Sequence, residues 1–490
     1  MNILLVAAEV SPYAKVGGLA DMAGMLPRAW SVLGNDVRIV LPLYGNIDKA
    51  QFGITKLDLL VSVPFGSWTE YAEVWHGILP DSEVDVYFVR SSDYYDRPGI
   101  YGYHDGFEDN DRRFMFLSRA AFEVARALDF KPDVIHAHDY HTAVCMPLLK
   151  VQYIHDPFFA STAGVFTIHN MAFQGFFDPL RAMEFCGLPP SDFYSGCWYE
   201  HDGCFNAMKS GIMFADKVTT VSPTYAQEIR WTPEGKGLQG ALQSRSADVI
   251  GVLNGINTSE WDPSTDQHIT ATYTPATLES KTDNKRSLLR EVGFAVDDVS
   301  DDLPVVGMVT RLTEQKGLSI LQHALPQHLR EGSLRLVVLG SGEHHAENFL
   351  RDLEHEYHHH VRFVRGYNEP LSHRIQAGSD YYLMPSLFEP CGLTQMFALR
   401  YGTVPIVRGI GGLGDTVEEY DPITVLGTGV RFYDYSADEL SRALWRALRL
   451  YKQEPHWTHI RRNAMNVDNS IVHTAERYLE VFSWAQEMVR

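Results

Sequence analysis

The chain of 490 residues contains few cysteines, and those present follow no recognisable spacing. The number is odd, with five cysteines, no Cys-x-x-Cys pair and no zinc-finger arrangement of His and Cys. The sequence therefore excludes a disulfide-rich scaffold, and it favours reduced thiols in a reducing compartment.

The sequence also lacks a membrane-spanning segment, because no run of about 18 apolar residues occurs. The stretch Met1–Val10 is apolar, but no basic region precedes it and it leads directly into a Gly-containing turn. We interpret this stretch as a buried strand and not as a signal peptide. We therefore expect a cytoplasmic protein without membrane partners.

Positive charge is scarce. The chain has 42 Lys+Arg against 62 Asp+Glu, which gives a formal net charge of −20. Proteins that bind nucleic acids or anionic membranes usually have a basic excess or a basic stripe, so both classes of partner are excluded. An anionic substrate would need a few cations concentrated at one place.

Short apolar runs alternate with helical patterns along the whole chain. The runs are mostly continuous, which is typical of parallel strands that are buried on both faces. We predict an α/β fold with two doubly wound, Rossmann-like parallel sheets. The predicted strands are Ile3–Ala8, Val37–Pro42, Val84–Val89, Val134–Ala137, Gly164–Ile168, Lys217–Val221, Val305–Val309, Leu334–Leu339, Val361–Val364, Tyr381–Met384 and Val404–Val407.

A polar, Thr-rich stretch over residues 258–280 has no periodicity and predicts a domain boundary. We predict an N-terminal domain over residues 1–263 and a C-terminal domain over residues 264–470. Residues 471–490 are predicted to form a helix that packs back on the N-terminal domain. The sequence predicts no particular oligomeric state.

Open parallel sheets bind ligands beyond the carboxyl ends of their strands, and the first predicted strand is followed by Lys15-Val-Gly-Gly-Leu. The charge of Lys15 and the bare backbone near Gly17 and Gly18 can cradle an anion at a helix N-terminus. The turn is neither a G-x-G-x-x-G motif nor a P-loop, and a plain tight turn explains it equally well.

The second half of the chain has two comparable segments. Arg311 and Lys316 follow a predicted strand, and an Arg fork with a Lys point charge suits a diphosphate. The alternative is a solvated basic pair. The Gly-rich segment Arg408–Thr416 follows another predicted strand and also suits a phosphate group.

Three further strand ends have polar or aromatic residues. Glu389 can accept hydrogen bonds from sugar hydroxyls, or it can belong to a capped helix start. Tyr367 can stack on a base, or it can be a packing residue. His169 and Asn170 can line a cleft, although a hydrogen-bonded core histidine is a simpler explanation for His169.

The segment from His136 to His141 contains three histidines and superficially resembles a metal site. No second His/Asp cluster completes a coordination shell, so we predict no metal and no other cofactor, and we interpret Asp139 as a hydroxyl acceptor. The aromatic, acidic loop Tyr94–Asn110 suits stacking on sugar rings, or it is an ordinary surface loop.

Together these motifs resemble those of the bacterial glycogen synthase and plant starch synthase family. That family consists of retaining glycosyltransferases of the GT-B architecture, in which two Rossmann-like domains face a deep cleft. The matching motifs follow in order over nearly the whole chain: Lys15–Leu19, Asp96–Gly99 with Asp105–Asp111, His138-Asp139, His169–Gly175, Asn254–Ile256, Arg311–Gly317, Glu389–Gln395 and Gly411–Thr416.

The resemblance implies that glucose is transferred from ADP-glucose to the non-reducing end of an α-1,4-glucan such as glycogen, starch or a maltooligosaccharide. It implies no metal. The implied catalytic residues are His169, Arg311, Lys316 and Glu389, and the implied acceptor-side residues are Tyr95 and Asp21. The implied donor-binding residues are Lys15, Gly17, Gly18, Asp139, Asn170, Asn254, Tyr367, Cys391, Gly392, Leu393, Thr394, Gly412, Leu413 and Thr416.

Two departures from the family pattern lie beside the donor motif. Leu387 occupies a position where Arg is usual, and Phe397 one where Tyr is usual, so the rate or the donor preference can differ. A glucan-binding or regulatory homologue without catalysis and a synthase that prefers UDP-glucose remain open. A glucan phosphorylase would need a lysine motif for pyridoxal phosphate, which the sequence lacks.

Overall fold

The computed structural model describes residues 1–102, 106–295 and 302–489. The chain forms two compact units, of which the first comprises Met1–Asn254 with Ile471–Arg490 and the second comprises Gly255–Ser470. The five cysteines are free thiols. Among the described residues, no helix combines the length and the apolar character needed to cross a bilayer.

The first unit is built around a large sheet with a small second sheet beside it. Its strands are β1 (Asn2–Val6), β2 (Asp36–Pro42), β3 (Thr55–Phe65), β4 (Trp68–Ile78), β5 (Asp85–Arg90), β6 (Val134–His138), β7 (Ala163–Ile168), β8 (Phe176–Phe177), β9 (Glu200–His201), β10 (Cys204–Asn206), β11 (Lys217–Thr220) and β12 (Val249–Gly251).

The strand order of the large sheet is β12-β11-β7-β6-β1-β2-β5-β4-β3, and β8-β10-β9 form the small sheet. From β12 to β5 every pairing is parallel, and the connections reverse direction between β1 and β6. In doubly wound sheets this switch point is where ligands bind.

At one end of the large sheet, the edge strand β3 and its neighbour β4 form an antiparallel hairpin that the sequence analysis did not predict. Their exposed and buried residues alternate, as expected at a sheet edge with one solvated face. Polar residues interrupt the apolar ones in this segment, so a search for continuous apolar runs misses it.

Helices cover the large sheet of the first unit and connect its strands. They are α1 (Gly18–Val32), α2 (Ser92–Tyr95), α3 (Asn110–Ala127), α4 (Asp139–Thr142), α5 (Cys145–Pro147), α6 (Pro179–Cys186), α7 (Ala207–Phe214), α8 (Pro223–Trp231) and α9 (Gln239–Ser244).

The second unit has one parallel sheet, with the strands β13 (Val305–Leu312), β14 (Arg335–Gly342), β15 (Val361–Arg365), β16 (Tyr381–Met384), β17 (Val404–Arg408) and β18 (Val430–Phe432). Its helices are α10 (Lys281–Glu291), α11 (Leu318–Arg330), α12 (His344–Glu356), α13 (Glu369–Gly378), α14 (Thr394–Arg400), α15 (Gly411–Thr416), α16 (Ala437–Tyr451) and α17 (Glu454–Met465).

The strand order in the second unit is β15-β14-β13-β16-β17-β18, with every pairing parallel. This is the Rossmann order, and its switch point lies between β13 and β16. The predicted α/β class with doubly wound parallel sheets is confirmed.

The core of the second unit shows why the apolar runs form central strands. Leu336, Val338 and Leu383 lie in the sheet and pack with helical side chains such as Leu321 and Leu444, all at most 1% exposed. Each such side chain contributes about 1.5–3 kcal/mol on burial. Helix α16 begins at the capping box that the sequence indicates, where the Ser436 hydroxyl accepts from the Glu439 amide at 3.2 Å.

The C-terminal helix α18 (Ile471–Glu487) belongs to the first unit, where it packs on α1. The Trp30 indole donates to the Ala475 carbonyl at 3.1 Å. The Trp30 ring also lies 5.8 Å from the Tyr478 ring and 5.1 Å from the Phe482 ring. The last segment of the chain thus covers a helix next to the β1–β6 switch point.

Candidate active site

In the first unit, the turn after β1 leads into α1 through Lys15, Gly17 and Gly18. A Cβ added at Gly17 or at Gly18 would meet no atom within 4 Å, so the fold itself does not require glycine at either position. The Lys15 ammonium lies 2.6 Å from the Asp21 carboxylate, and the Lys15 side chain is 45% exposed. The turn therefore has space for a ligand next to the backbone of Gly17 and Gly18, and it has an accessible cation in Lys15. Both features suit the binding of an anion.

Asp139 follows β6 on the other side of the switch point. Its backbone is left-handed (φ 53°), and its Oδ1 accepts from the His169 amide at 2.7 Å. Burial raises the pKa of the Asp139 carboxyl to about 7, against the lowering effect of the amides of His169 and Asn170. Asp139 thus ties the end of β6 to the end of β7 and can exist near neutral pH in either protonation state.

His169 directly follows β7 and contacts a second histidine. Its Nε2 lies 3.0 Å from Nδ1 of His138, which is completely buried. Burial lowers the pKa of His169 to about 3, so the imidazole is neutral at pH 7. A neutral imidazole held by His138 can exchange hydrogen bonds with a sugar hydroxyl without adding charge.

The other histidines of this segment are packing residues. Nε2 of His136 bonds the Thr167 hydroxyl at 2.6 Å, and the ring of His141 stacks on Tyr101 with centroids 4.6 Å apart. In the part of the chain that the structure describes, one group could hold a metal by proximity, with ligand atoms of Glu260, Glu369 and His373 within 4.8 Å of one another. None of these three is a predicted site residue.

Because the buried histidines resist protonation in the folded state, we predict that the free energy of unfolding falls in acid. Burial lowers the pKa of His141 to about 3, whereas an unfolded histidine titrates near 6.5. Below pH 6.5 the unfolded chain takes up a proton that the folded chain does not, so the free energy of unfolding falls as the pH falls. For His141 alone the loss between pH 7 and pH 5 is about 2 kcal/mol.

The variant His141→Phe tests this prediction, because the His141 ring makes only ring contacts among the described residues. Between pH 7 and pH 5, we expect the free energy of unfolding of the variant to fall by about 2 kcal/mol less than that of the wild type. Urea unfolding at the two pH values measures this difference. Identical losses for the two proteins would contradict the prediction.

Asn254, at the end of the first unit, is 6% exposed, and its Oδ1 is buried with no hydrogen-bond partner among the described residues. Asn170 is partly buried, and its Oδ1 accepts from the Ala172 amide at 2.9 Å. Of the two side chains, only that of Asn254 has an unsatisfied acceptor, which a ligand hydroxyl could use.

In the second unit, the structure brings Lys316 and Glu389 into contact. The Lys316 ammonium lies 2.6 Å from Oε2 of Glu389, and the two side chains are 16% and 7% exposed. The same carboxylate oxygen accepts from the Ser386 hydroxyl at 3.0 Å. These residues follow β13 and β16, so the pair lies at the switch point of the sheet.

Backbone contacts explain why these two segments meet. Gly317 has a left-handed backbone (φ 85°), and a Cβ there would lie 2.1 Å from the Pro385 carbonyl oxygen. The Leu387 amide also donates to the Gln315 carbonyl at 2.9 Å. Only glycine at position 317 allows the turn after β13 to lie against the loop after β16.

Arg311 lies on β13 itself, because the strand continues to Leu312 and not only to Val309 as predicted. The expectation that Arg311 follows the strand is therefore wrong. The side chain is exposed, and its guanidinium has no hydrogen-bond or ion-pair partner within the described ranges of the chain. It is a cation available to an anionic ligand.

The side chain of Gln395 holds the loop from Cys391 to Thr394 by hydrogen bonds. The Gln395 amide nitrogen donates to the Cys391 carbonyl at 3.1 Å, the Gly392 carbonyl at 3.0 Å and the Thr416 hydroxyl at 3.1 Å. Gly392 is left-handed (φ 74°). Leu393 and Thr394 are partly buried, and Thr394 begins α14. Sequence reasoning missed Gln395, although it belongs to the quoted motif.

Glycines in α15 serve close packing against the same loop. A Cβ at Gly412 would lie 2.2 Å from the Cys391 carbonyl oxygen, and the Gly412 amide donates to the carbonyls of Glu389 and Pro390, both at 3.2 Å. Leu413 is completely buried. The Thr416 hydroxyl donates to the Gly412 carbonyl at 2.7 Å. The Leu413 side chain belongs to a core cluster with Met384 and Ala398, and the Thr416 hydroxyl accepts from Gln395, which holds the loop.

The two tyrosines that were predicted as ligand contacts, Tyr95 and Tyr367, differ in their exposure to solvent. Tyr95 is completely buried, and its hydroxyl donates to the Arg113 carbonyl at 2.6 Å, so the predicted acceptor-side position of this side chain is wrong. Tyr367 follows β15 and is 73% exposed, a position from which it can stack on a base. Residue Asp105 of the quoted loop motif lies outside the described residues.

Each half of the chain matches the model of a known protein family. The family described as starch synthase catalytic domain matches residues 2–244, and the family described as glycosyl transferases group 1 matches residues 293–464. Glycogen synthase 1 of Geobacter sulfurreducens is 42% identical over 485 residues, covering 98% of this chain and 96% of that protein. Glycogen synthase of Bacillus subtilis is 41% identical over 485 residues, covering 98% of both.

Solved structures agree with these matches. The catalytic domain of starch synthase IV from Arabidopsis thaliana, bound to ADP and acarbose, is 35% identical with a TM-score of 0.90 over 99% of both chains. Sucrose-phosphate synthase from Thermosynechococcus elongatus is 16% identical with a TM-score of 0.62 over 98% of both chains, which is a likeness of fold alone.

Proposed function

Because the chain belongs to the glycogen synthase and starch synthase family of glycosyltransferases, we propose that it transfers glucose from ADP-glucose to an α-1,4-glucan. The observation that supports this most directly is the Lys316–Glu389 pair at a Rossmann switch point, with the exposed guanidinium of Arg311 on the adjoining strand. Two cations and one carboxylate match a diphosphate joined to a sugar.

The donor is bound by charge and by hydrogen bonds. Arg311 and Lys316 contact the diphosphate, a role that the family resemblance also implies for Lys15. The Glu389 carboxylate accepts from hydroxyls of the donor glucose, while amides of the loop that Gln395 holds donate to them. Tyr367 stacks on the adenine, and no metal is required because these cations neutralise the leaving group.

Transfer proceeds with retention at C1 of the glucose. The bond between C1 and the β-phosphate oxygen breaks, and its electron pair stays on ADP. The O4 hydroxyl of the glucan end forms the new bond to C1 on the same face, and its proton passes to the departing phosphate oxygen. Arg311 and Lys316 stabilise the charge that develops on that oxygen, as oxyanion-hole donors do.

Residues of the first unit serve the acceptor and the reacting face. The neutral His169 and the carboxyl of Asp139 hydrogen-bond hydroxyls next to C1, and Asn254 offers its unsatisfied Oδ1. A cationic histidine would repel the positive charge that develops on the sugar ring, so the low pKa of His169 suits this role.

Incorporation of radiolabelled glucose into glycogen tests the proposal. With ADP-glucose as donor we expect label in precipitated glycogen that an α-1,4-specific glucanase releases. UDP-glucose is the parallel arm, and equal or greater incorporation from it would overturn the donor assignment. No incorporation from either donor would overturn the synthase activity.

A further inference from the structure

Glu9 is a buried carboxylate that the sequence analysis passed over, and it lies beneath the turn formed by Lys15–Gly18. It is 3% exposed. Its Oε2 accepts from the Val16 amide at 2.5 Å and from the Gly17 amide at 3.0 Å, and its Oε1 accepts from the Tyr101 hydroxyl. The only sequence signal is a charged residue directly after an apolar strand.

A carboxylate is costly to bury unless hydrogen bonds replace its hydration. Burial raises the pKa of Glu9, while the hydrogen bonds from Tyr101, Val16 and Gly17 act in the opposite direction. Two of these three donors are consecutive backbone amides of the turn. Glu9 therefore fixes the direction of the peptide planes that precede the open backbone at Gly17 and Gly18.

The base of the same loop is closed independently of Glu9. Val10 and Ala14 exchange both backbone hydrogen bonds, at 3.1 Å and 3.0 Å. Beyond Ala14, the described contacts that hold the Val16 and Gly17 amides go to Glu9 alone. Loss of its carboxylate would free the part of the turn that carries Lys15 without opening the whole loop.

We infer that Glu9 is a positioning residue that holds the Lys15–Gly18 turn in the shape that receives the donor diphosphate. The inference rests on the proposed function. Glu9 itself does not touch the substrate, because it is buried and both its oxygens are engaged. Tyr101 extends the arrangement, since its hydroxyl holds Oε1 of Glu9 and its ring stacks on His141.

Three substitutions test whether Glu9 acts through the hydrogen bonds that position the turn or through its charge. For Glu9→Ala we expect the KM for ADP-glucose and the Kd of ADP to rise about 10- to 100-fold, with kcat changed by less than about threefold, because the turn contacts the diphosphate equally in the ground state and the transition state. Glu9→Gln keeps an oxygen for both amides and an NH₂ group for the Tyr101 oxygen, so we expect both constants within about threefold of wild type. Tyr101→Phe should give an intermediate rise.

The matched control is Asp216→Ala, because Asp216 is also a buried carboxylate of the first unit that accepts from a backbone amide. Its Oδ2 accepts from the Gly164 amide at 2.7 Å and pairs with Lys150 at 2.6 Å. We expect this variant to lose thermal stability with an unchanged KM for ADP-glucose. A merely structural role of Glu9 would make Glu9→Ala behave in the same way, which would overturn the inference.

Hydrogen exchange gives a readout that needs no activity. The amides of Val16 and Gly17 should exchange slowly in the wild type and in Glu9→Gln, and fast in Glu9→Ala. Unchanged exchange in Glu9→Ala, or a loss of ADP affinity in Glu9→Gln as large as in Glu9→Ala, would overturn the inference. A wild type that is inactive with ADP-glucose would instead overturn the proposed function, while exchange still decides the role of Glu9.

Discussion

Replacing Lys316 by Ala is expected to lower kcat for glucosyl transfer by about 10²–10³-fold, the effect of removing one group that stabilises a developing oxyanion. The Lys316 ammonium is fixed by its 2.6 Å contact with Glu389, so its charge is already in place when the phosphate departs. It has three donor hydrogens, and the contact with Glu389 leaves others for the diphosphate.

The measurement is steady-state incorporation of glucose from ADP-glucose into glycogen at saturating donor. Lys452→Ala is the matched control, because it removes an exposed lysine of the same unit just after α16. It should keep kcat within about twofold, as surface substitutions usually do. Retention of more than a tenth of wild-type kcat by Lys316→Ala would contradict the assigned role.

Replacing Glu389 by Gln is expected to lower kcat/KM for ADP-glucose by about 10²–10³-fold, in line with the cost of truncating a buried, hydrogen-bonded charge pair. Gln keeps the shape of the side chain but removes the charge that faces the donor glucose. ADP has no glucose, so its Kd should change by less than about threefold. This difference separates Glu389 from Lys316, whose loss should weaken ADP binding as well.

Glu331→Gln is the control for the second prediction, since Glu331 is an exposed carboxylate of the same unit that follows α11. It should leave kcat/KM within about twofold. The double variant of Lys316 and Glu389 should lose far less than the product of the two single losses, because the two residues act as one unit. A multiplicative loss, or an ADP affinity that falls as far as kcat/KM in Glu389→Gln, would contradict the sugar-binding role.

The fold class follows from the sequence because parallel central strands are buried on both faces. Continuous apolar runs such as Ile3–Ala8 and Tyr381–Met384 were predicted as strands, and the strands found there, β1 and β16, are central in their sheets. The hairpin β3–β4 was missed, since its residues alternate between solvent and core. Period-two patterns are easily overlooked where continuous runs dominate.

The sequence proposes the candidate site residues, but it does not distinguish two kinds of glycine among them. Gly17 and Gly18 face open space, whereas Gly317 and Gly412 are required by backbone atoms that approach to about 2 Å of a Cβ position. Both kinds look the same in a sequence. The difference depends on which distant segment, here Pro385 or Cys391, lies against the turn.

Local sequence determined what depends on near neighbours: strands and helices, the capping box of α16, and the residue types at strand ends that fit a sugar nucleotide. Only the tertiary structure decided which side chains meet. It paired Lys316 with Glu389, buried Tyr95 and placed Glu9 under the Lys15 turn. These contacts join residues far apart in the chain or hidden in its core, and they arise from packing, which local patterns do not encode.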